Sequence, residues 1–156
     1  MIGVLNEKQM DEVLYRGYIG RIGCHDGNKT YVVPVSYTFD GVRIIAHSKE
    51  GMKLKIMRDH PDVCFEVDEM DNMANWKSVI CWGRFIEFTE EAERIKIKEF
   101  LAQRPLPLIV SSTVKLNDAW PFGSIRPAND SVYYSIHIDQ KTGRFEQDDV
   151  TAYYTM

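Results

Sequence analysis

The sequence predicts a mainly β protein, a small antiparallel barrel or sandwich of six or more strands with a few flanking helices. At least six segments are rich in β-branched and aromatic residues, and turn signals such as Asp26-Gly27 and Asp40-Gly41 separate them. The helical segments between them are short. Closing or stacking the sheet protects the edges of so many short strands.

A short helix is predicted to open the chain. Asn6 and Gln9 form a variant of the capping box, and Gly17 supplies a C-terminal stop. Apolar residues recur between these signals at helical spacing, namely Met10, Val13 and Leu14. This spacing is typical of an amphipathic helix.

Three strands are predicted next, over residues 18–25, 31–39 and 42–47. Because short connections that contain the turn pairs Asp26-Gly27 and Asp40-Gly41 separate them, they should form an antiparallel meander.

The middle of the chain mixes one helix with two strands. Residues 51–60 interleave apolar with basic side chains, which predicts a short helix that ends before Pro61. Strands are predicted to resume over residues 63–67 and 77–88.

Thr89 is the predicted N-cap of a helix over residues 90–103. The apolar stripe of this helix is predicted to consist of Ile95, Phe100 and Leu101. After it, residues 106–129 contain three prolines and predict a long loop, a kind of segment that is often functional.

The C-terminal part is predicted to hold a strand over residues 131–138 and a turn over residues 141–144. Residues 145–156 are expected to form a loosely held tail. No repeat or linker divides the sequence, so residues 1–156 are predicted to be one domain.

Charge and apolar runs exclude several classes of protein. The chain has 19 basic and 23 acidic side chains, a net charge of −4, and so lacks the basic excess that nucleic acid or an anionic membrane selects. No apolar run approaches the ~20 residues of a transmembrane helix, and residues 1–15 do not build a signal core. We therefore expect a cytoplasmic protein with neither nucleic acid nor membrane as partner.

Cysteine and histidine spacing predicts neither a disulfide framework nor a metal site. Cys24, Cys64 and Cys81 lie in separate apolar segments, which is typical of buried reduced thiols. The four histidines are far apart and lack ligand spacing. Neither G-x-G-x-x-G nor the P-loop motif occurs, so the common nucleotide folds are excluded as well.

The segment 47–53 is a candidate phosphate site. A strand ends at Ser48, a turn containing Gly51 follows, and a helix begins near Lys53. A helix N-terminus offers free N–H groups and the positive end of the helix dipole, and the hydroxyl and ammonium groups suit a phosphate dianion. The alternative is a solvated turn with an ordinary surface lysine.

Four blocks of sequence occur in order over roughly residues 10 to 90. They are Y-V-V-P-V-S-Y at 31–37, I-A-H-S with G-M-K at 45–53, P-D-V-C-F-E-V at 61–67, and W-K-S-V-I-C-W-G-R at 76–84. Together they resemble the pyridoxamine 5′-phosphate oxidase-related flavoproteins, and most closely the nitroimidazole-resistance subgroup. The resemblance implies an FMN-binding split barrel that works as a homodimer, with the flavin at the subunit interface.

The resemblance also implies where the flavin is held. The residues expected along its ring are Val33, Pro34, Val35 and Ser36. Ser48 and Lys53 occupy the positions of the phosphate ligands, and Ser78 and Val79 lie where a strand on the partner side reaches the cofactor. For Val79 a plain core position is the alternative.

His47 is the candidate catalytic residue and a candidate cofactor contact. A histidine at this strand end can hydrogen-bond to flavin or substrate, and the alternative is a half-buried histidine bonded to a backbone carbonyl. Trp120 is a candidate for stacking on the flavin, although aromatic residues of a barrel more often lie in its core, where we place Trp82.

Two departures from the family argue against vitamin B6 oxidation. Residues 145–156 contain nothing like the C-terminal R-L-x-P motif of the true oxidases, and a lysine stands where those enzymes tend to carry arginine.

The resemblance therefore implies an FMN-dependent oxidoreductase of a small, electron-poor, nitroaromatic-like molecule, with NAD(P)H as one candidate donor. The alternatives are a non-catalytic flavin- or haem-binding carrier or sensor on the same barrel, or a deazaflavin in place of FMN.

Overall fold

The computed structural model describes residues 1–104 and 131–148. Within them it holds seven strands and three helices. The strands are β1 Ile2–Val4, β2 Ile19–His25, β3 Thr30–Phe39, β4 Arg43–Lys49, β5 Asp62–Asn72, β6 Asn75–Glu87 and β7 Ser131–Glu146. The helices are α1 Glu7–Arg16, α2 Met52–Asp59 and α3 Glu91–Ala102.

Six of the strands close into an antiparallel barrel. Their order is β7, β4, β3, β2, β5 and β6, and β6 pairs with β7 to complete the ring, while β1 adds to β7. The predicted meander is present as β2, β3 and β4. The predicted mainly β fold with flanking helices is confirmed, and closure selects the barrel over the sandwich.

The capping box predicted for α1 is also confirmed. The Asn6 side chain accepts a hydrogen bond from the Gln9 backbone N–H, the Gln9 side chain accepts one from the Asn6 N–H, and both distances are 2.9 Å. The helix ends at Gly17 and buries the three apolar residues that the spacing identified, Met10, Val13 and Leu14.

Two sets of buried side chains lie on opposite faces of the sheet. Backbone alternation sends Ile44 and Ala46 into the barrel core, with Tyr134 of β7. It sends Ile45 to the outer face, where it packs with Tyr133 beneath α3. Neighbouring residues of β4 and β7 therefore serve different environments.

Helix α3 differs from its prediction at its start and on its buried face. Its N-cap is Glu90, not Thr89, and no side chain caps it. Of the predicted stripe, Leu101 is buried and Phe100 packs against the same cluster, whereas Ile95 is 49% exposed. The helix buries Ile97 and Lys98 as well. The prediction assigned burial to apolar side chains only, whereas the helix also buries the side chain of Lys98.

Strand β7 continues through the turn predicted over residues 141–144. The strand pairs with β6 as far as Glu146, so the beginning of the predicted tail also lies in the sheet. Gly143, which suggested a turn, is buried, and a Cβ there would lie 2.8 Å from atoms of Leu5 and Met10. This glycine serves close packing beneath the N-terminal segment.

Trp82 was predicted in the core, yet it is 42% exposed on the outer face of β6. Alternation buries its neighbours Cys81 and Gly83. The three cysteines are free thiols, as predicted, although Cys64 is only half-buried. No helix in residues 1–104 or 131–148 is long and apolar enough to cross a membrane.

Candidate functional site

The candidate phosphate site begins at the end of β4. Alternation places Ser48 on the same side of the strand as the buried Ala46. The Ser48 Oγ is buried, and within the described part of the chain it has no hydrogen-bond partner of good geometry. A buried hydroxyl without a partner costs free energy, so this oxygen suits a ligand that bonds to it.

The N-terminus of α2 supplies further donors. Its N-cap is Gly51, no side chain caps it, and its first turn has no acidic residue. A Cβ added to Gly51 would meet nothing within 4 Å, so the space around this glycine is open. The first backbone N–H groups of a helix have no partner within it, and here they are available to an anion.

Lys53 lies in the first turn of α2 and is half-buried. Burial lowers the pKa of its ammonium group, and the nearby Cys24 thiol opposes that shift only in part. Across residues 1–104 and 131–148, the lysine forms no ion pair. A partly desolvated cation without a carboxylate partner is a good ligand for a phosphate.

Tyr134 joins this site, and sequence reasoning missed it. It is fully buried, and its hydroxyl lies close to the Ser48 hydroxyl, but among the described residues it makes no hydrogen bond of good geometry. Burial raises the pKa of the phenol well above its usual value, opposed by the nearby Ser48 hydroxyl. Cys24 lies near both Tyr134 and Lys53. Lys53 and Tyr134 thus share Cys24 as a neighbour, and Ser48 adjoins Tyr134.

His47 lies on the opposite face of β4 from Ser48. Its ring stacks on Tyr133, with ring centroids 5.7 Å apart and planes at 29°. Tyr133 belongs to the cluster beneath α3. The two adjacent residues of the predicted site therefore do not converge, because a strand directs successive side chains to opposite faces.

The same alternation divides the four residues predicted along the flavin ring. Val33 and Val35 pack toward the barrel core. Pro34 is exposed and Ser36 half-buried, and both lie on the outer face. Pro34 and Ser36 could therefore contact a flavin through both side chain and backbone. The buried Val35 could contact it only through its backbone.

Ser78 and Val79 lie apart from these residues. The Ser78 hydroxyl donates a 3.0 Å hydrogen bond to Glu66, and Val79 is fully buried in the core, so only its backbone could reach a ligand. Strands β2 and β5 separate β3 from β6. Three strand spacings correspond to about 14 Å along the sheet. Trp120 lies outside the described residues.

Comparison with known families decides the relationship. The model of the pyridoxamine 5′-phosphate oxidase family matches residues 6–145. The chain belongs to this family. A family relative in Rhizobium meliloti strain 1021, an uncharacterised protein, is 25% identical over 154 residues, which cover 92% of this chain and 94% of the relative.

Solved structures agree with the family assignment. An FAD-binding protein of Mesorhizobium loti is 26% identical with a TM-score of 0.73, over 94% of this chain and 99% of that one. A candidate 5-nitroimidazole antibiotic resistance protein of Bacteroides thetaiotaomicron is 15% identical with a TM-score of 0.67, over 93% and 87% of the two chains. The second likeness shows the fold alone, and both support the predicted split barrel.

Proposed function

We propose that the protein is an FMN-binding oxidoreductase that reduces a small, flat, electron-poor organic molecule of the nitroaromatic class. The observation that carries the cofactor assignment is a pair of buried hydroxyls, Ser48 and Tyr134, that make no hydrogen bond of good geometry within the described residues. Lys53, in the uncapped first turn of α2, supplies a half-buried ammonium group without an ion pair in those residues. The name of the Mesorhizobium loti structure, an FAD-binding protein, supports a flavin as the class of cofactor.

The choice of FMN over FAD rests on a comparison of the three described helices. The N-terminus of α1 is occupied by its own Asn6 cap, and the first turn of α3 carries Glu91 and Glu93, which repel an anion. Within the described ranges, α2 alone has an N-terminus that is both uncapped and free of acidic residues. One terminal phosphate fits this arrangement better than a pyrophosphate with its adenosine.

The remaining roles follow from the two faces of the strands. Ser48, Tyr134, Lys53 and the first amides of α2 hold the phosphate. The outer backbone of β3 near Ser36 orients the ring, and His47 gives a hydrogen bond to the ring or to the substrate. When bound, FMN supplies the hydride or electron transfer, so no side chain needs to act as a strong acid or base.

A homodimer completes this proposal. Three apolar side chains project from the outer face of β6, namely Ile80, Trp82 and Ile86, with exposed fractions of 36%, 42% and 44%. A second copy would cover this row, and a twofold pair is the commonest symmetric solution. It would also bring a strand such as β6, with Ser78, to a flavin held mainly by the other chain.

Titration of the apoprotein with FMN and with FAD tests the cofactor, and we expect clearly tighter binding of FMN. Equal affinities would overturn that choice. Bleaching of the flavin absorbance by NAD(P)H, followed by reoxidation with a nitroaromatic compound, is the expected sign of the enzyme. A protein that carries iron with a haem spectrum, or that keeps an unreactive flavin, would favour the carrier or sensor.

The dimer has its own test. Because FMN that binds across two chains stabilises the pair by mass action, excess FMN should lower the concentration at which the protein dissociates. Sedimentation of dilute protein with and without FMN measures this. A monomer that retains its full flavin content would refute the shared site.

A further inference from the structure

Lys98 of α3 is an unusual buried charge. It exposes only 6% of its surface, and burial lowers the pKa of its ammonium group. The Nζ atom lies 5.4 Å from the centroid of the Tyr133 ring. A lysine at a buried helical position is costly unless its charge is compensated, so this residue needs an explanation.

A second cation lies over the same ring. The guanidinium carbon of Arg94 is 5.8 Å from the Tyr133 centroid, and one of its nitrogens donates a 3.2 Å hydrogen bond to the Ser131 carbonyl. The two charges repel each other, since Arg94 further lowers the pKa of Lys98. The negative face of the single tyrosine ring offsets this repulsion only in part, because one cation–π contact is worth about 0.5–1 kcal/mol at an exposed site and about 2 kcal/mol when it is desolvated.

No acidic group among residues 1–104 and 131–148 forms an ion pair with either cation. The acidic residues at the start of the helix, Glu91 and Glu93, are exposed. The region around Lys98 and Arg94 therefore combines positive charge with the apolar residues packed at α3, such as Ile45 and Ile97.

Lys98 and Arg94 are connected to the proposed reaction site through Tyr133. The Tyr133 ring lies beneath both cations and also stacks on His47. In the proposed function, His47 contacts the flavin or the substrate. The phosphate cradle at Ser48 lies on the other face of β4 and has its own lysine. The two cationic places are therefore separate.

We propose that Lys98 and Arg94 form a binding site for the anionic group of a small organic substrate, a carboxylate on an apolar or aromatic body. The ammonium and guanidinium groups would receive the carboxylate, and the apolar surroundings would receive the rest of the molecule. This inference rests on the proposed function for the identity of the reaction, but the binding that it describes does not depend on turnover.

Benzoate and its neutral analogue benzamide test the site on the protein as purified, with its cofactor content recorded. Isothermal titration should show benzoate binding at least tenfold more tightly than benzamide. Lys98→Met keeps the aliphatic stem and removes the charge, so it should weaken benzoate binding at least tenfold and leave benzamide unchanged. Lys98→Arg should retain most of the affinity for benzoate.

The matched control is Lys96→Met, which removes an exposed positive charge from the same helix and should leave benzoate binding unchanged. Arg94→Gln provides a second loss of charge if Lys98→Met does not fold. Equal binding of benzoate and benzamide, or an equal loss in Lys96→Met, would show that the cations only pack on Tyr133. If the protein did not bind FMN, the proposed function would be overturned. The benzoate measurement would still decide whether Lys98 and Arg94 bind a carboxylate.

Discussion

Replacing Lys53 with methionine removes the positive charge of the phosphate cradle and keeps most of the side-chain volume. A hydrogen bond that involves a charged group contributes about 1.5–3 kcal/mol. Since about 1.4 kcal/mol corresponds to a tenfold change in Kd, the variant should bind FMN about ten- to a hundredfold more weakly. The half-buried position of Lys53 favours a measurable loss of FMN affinity, because water screens its charge less than that of an exposed lysine.

The apoprotein should behave differently. Lys53 forms no ion pair within the described ranges, and burial already disfavours its charge, as its lowered pKa indicates. Loss of the ammonium group should therefore change the free energy of unfolding of the apoprotein by less than about 0.5 kcal/mol.

Flavin fluorescence titration measures the Kd, and urea unfolding of the apoprotein measures stability. The control is Lys55→Met, which removes an exposed lysine from the same helix. The two variants therefore have the same net charge. FMN affinity that is the same in both variants would refute the role of Lys53 in the cradle. A large loss of apoprotein stability would show that the lysine is structural.

Three further predictions concern other residues of the barrel. Ser48→Ala should weaken FMN binding by about 1.5–3 kcal/mol, the scale of a hydrogen bond to a charged phosphate, without destabilising the apoprotein, because its hydroxyl makes no hydrogen bond of good geometry within the described residues; thermal unfolding with and without FMN checks this, and a destabilised apoprotein would contradict it. His47→Ala should retain flavin but slow its reduction or the turnover of a nitro substrate in stopped-flow traces, and equal rates would return His47 to a structural role. With a thiol reagent at pH 8, Cys64 should react first, because Cys24 and Cys81 are buried, whereas Cys64 is only half-buried. Burial raises the pKa of the Cys24 thiol above its usual value, and it raises the pKa of the Cys81 thiol to about 12. Peptide mass spectrometry identifies the modified cysteine, and early labelling of Cys81 would count against this order.

The elements that the sequence predicted correctly depend on local signals. The capping box at Asn6 and Gln9 and the Asp-Gly pairs act within a few residues, so they are readable without knowledge of the fold. The continuation of β7 past residue 141 is not readable in this way, because pairing with the distant β6 overrides the turn preference of the segment around Gly143. The strand β1 is missed for a similar reason, since its three residues are held by pairing with the end of β7.

The same division applies to the site. Ser48 and Lys53 are five residues apart on a strand, turn and helix, so their proximity follows from local geometry. Tyr134 reaches Ser48 only because β4 pairs with β7, which nothing in a single sequence specifies. Lys98 stands beside Glu99 in a helix rich in charged residues, and only the packing of α3 on Tyr133 reveals its burial.

The most direct test of the central claim is the identity of the small molecule released when the purified protein is denatured. Its absorbance spectrum and its mass together distinguish FMN from FAD, a deazaflavin and haem. We expect a yellow compound with the mass of FMN, because the cradle of Ser48, Tyr134 and Lys53 beside the uncapped α2 fits one terminal phosphate. Release of FAD, a deazaflavin or haem in its place would contradict it.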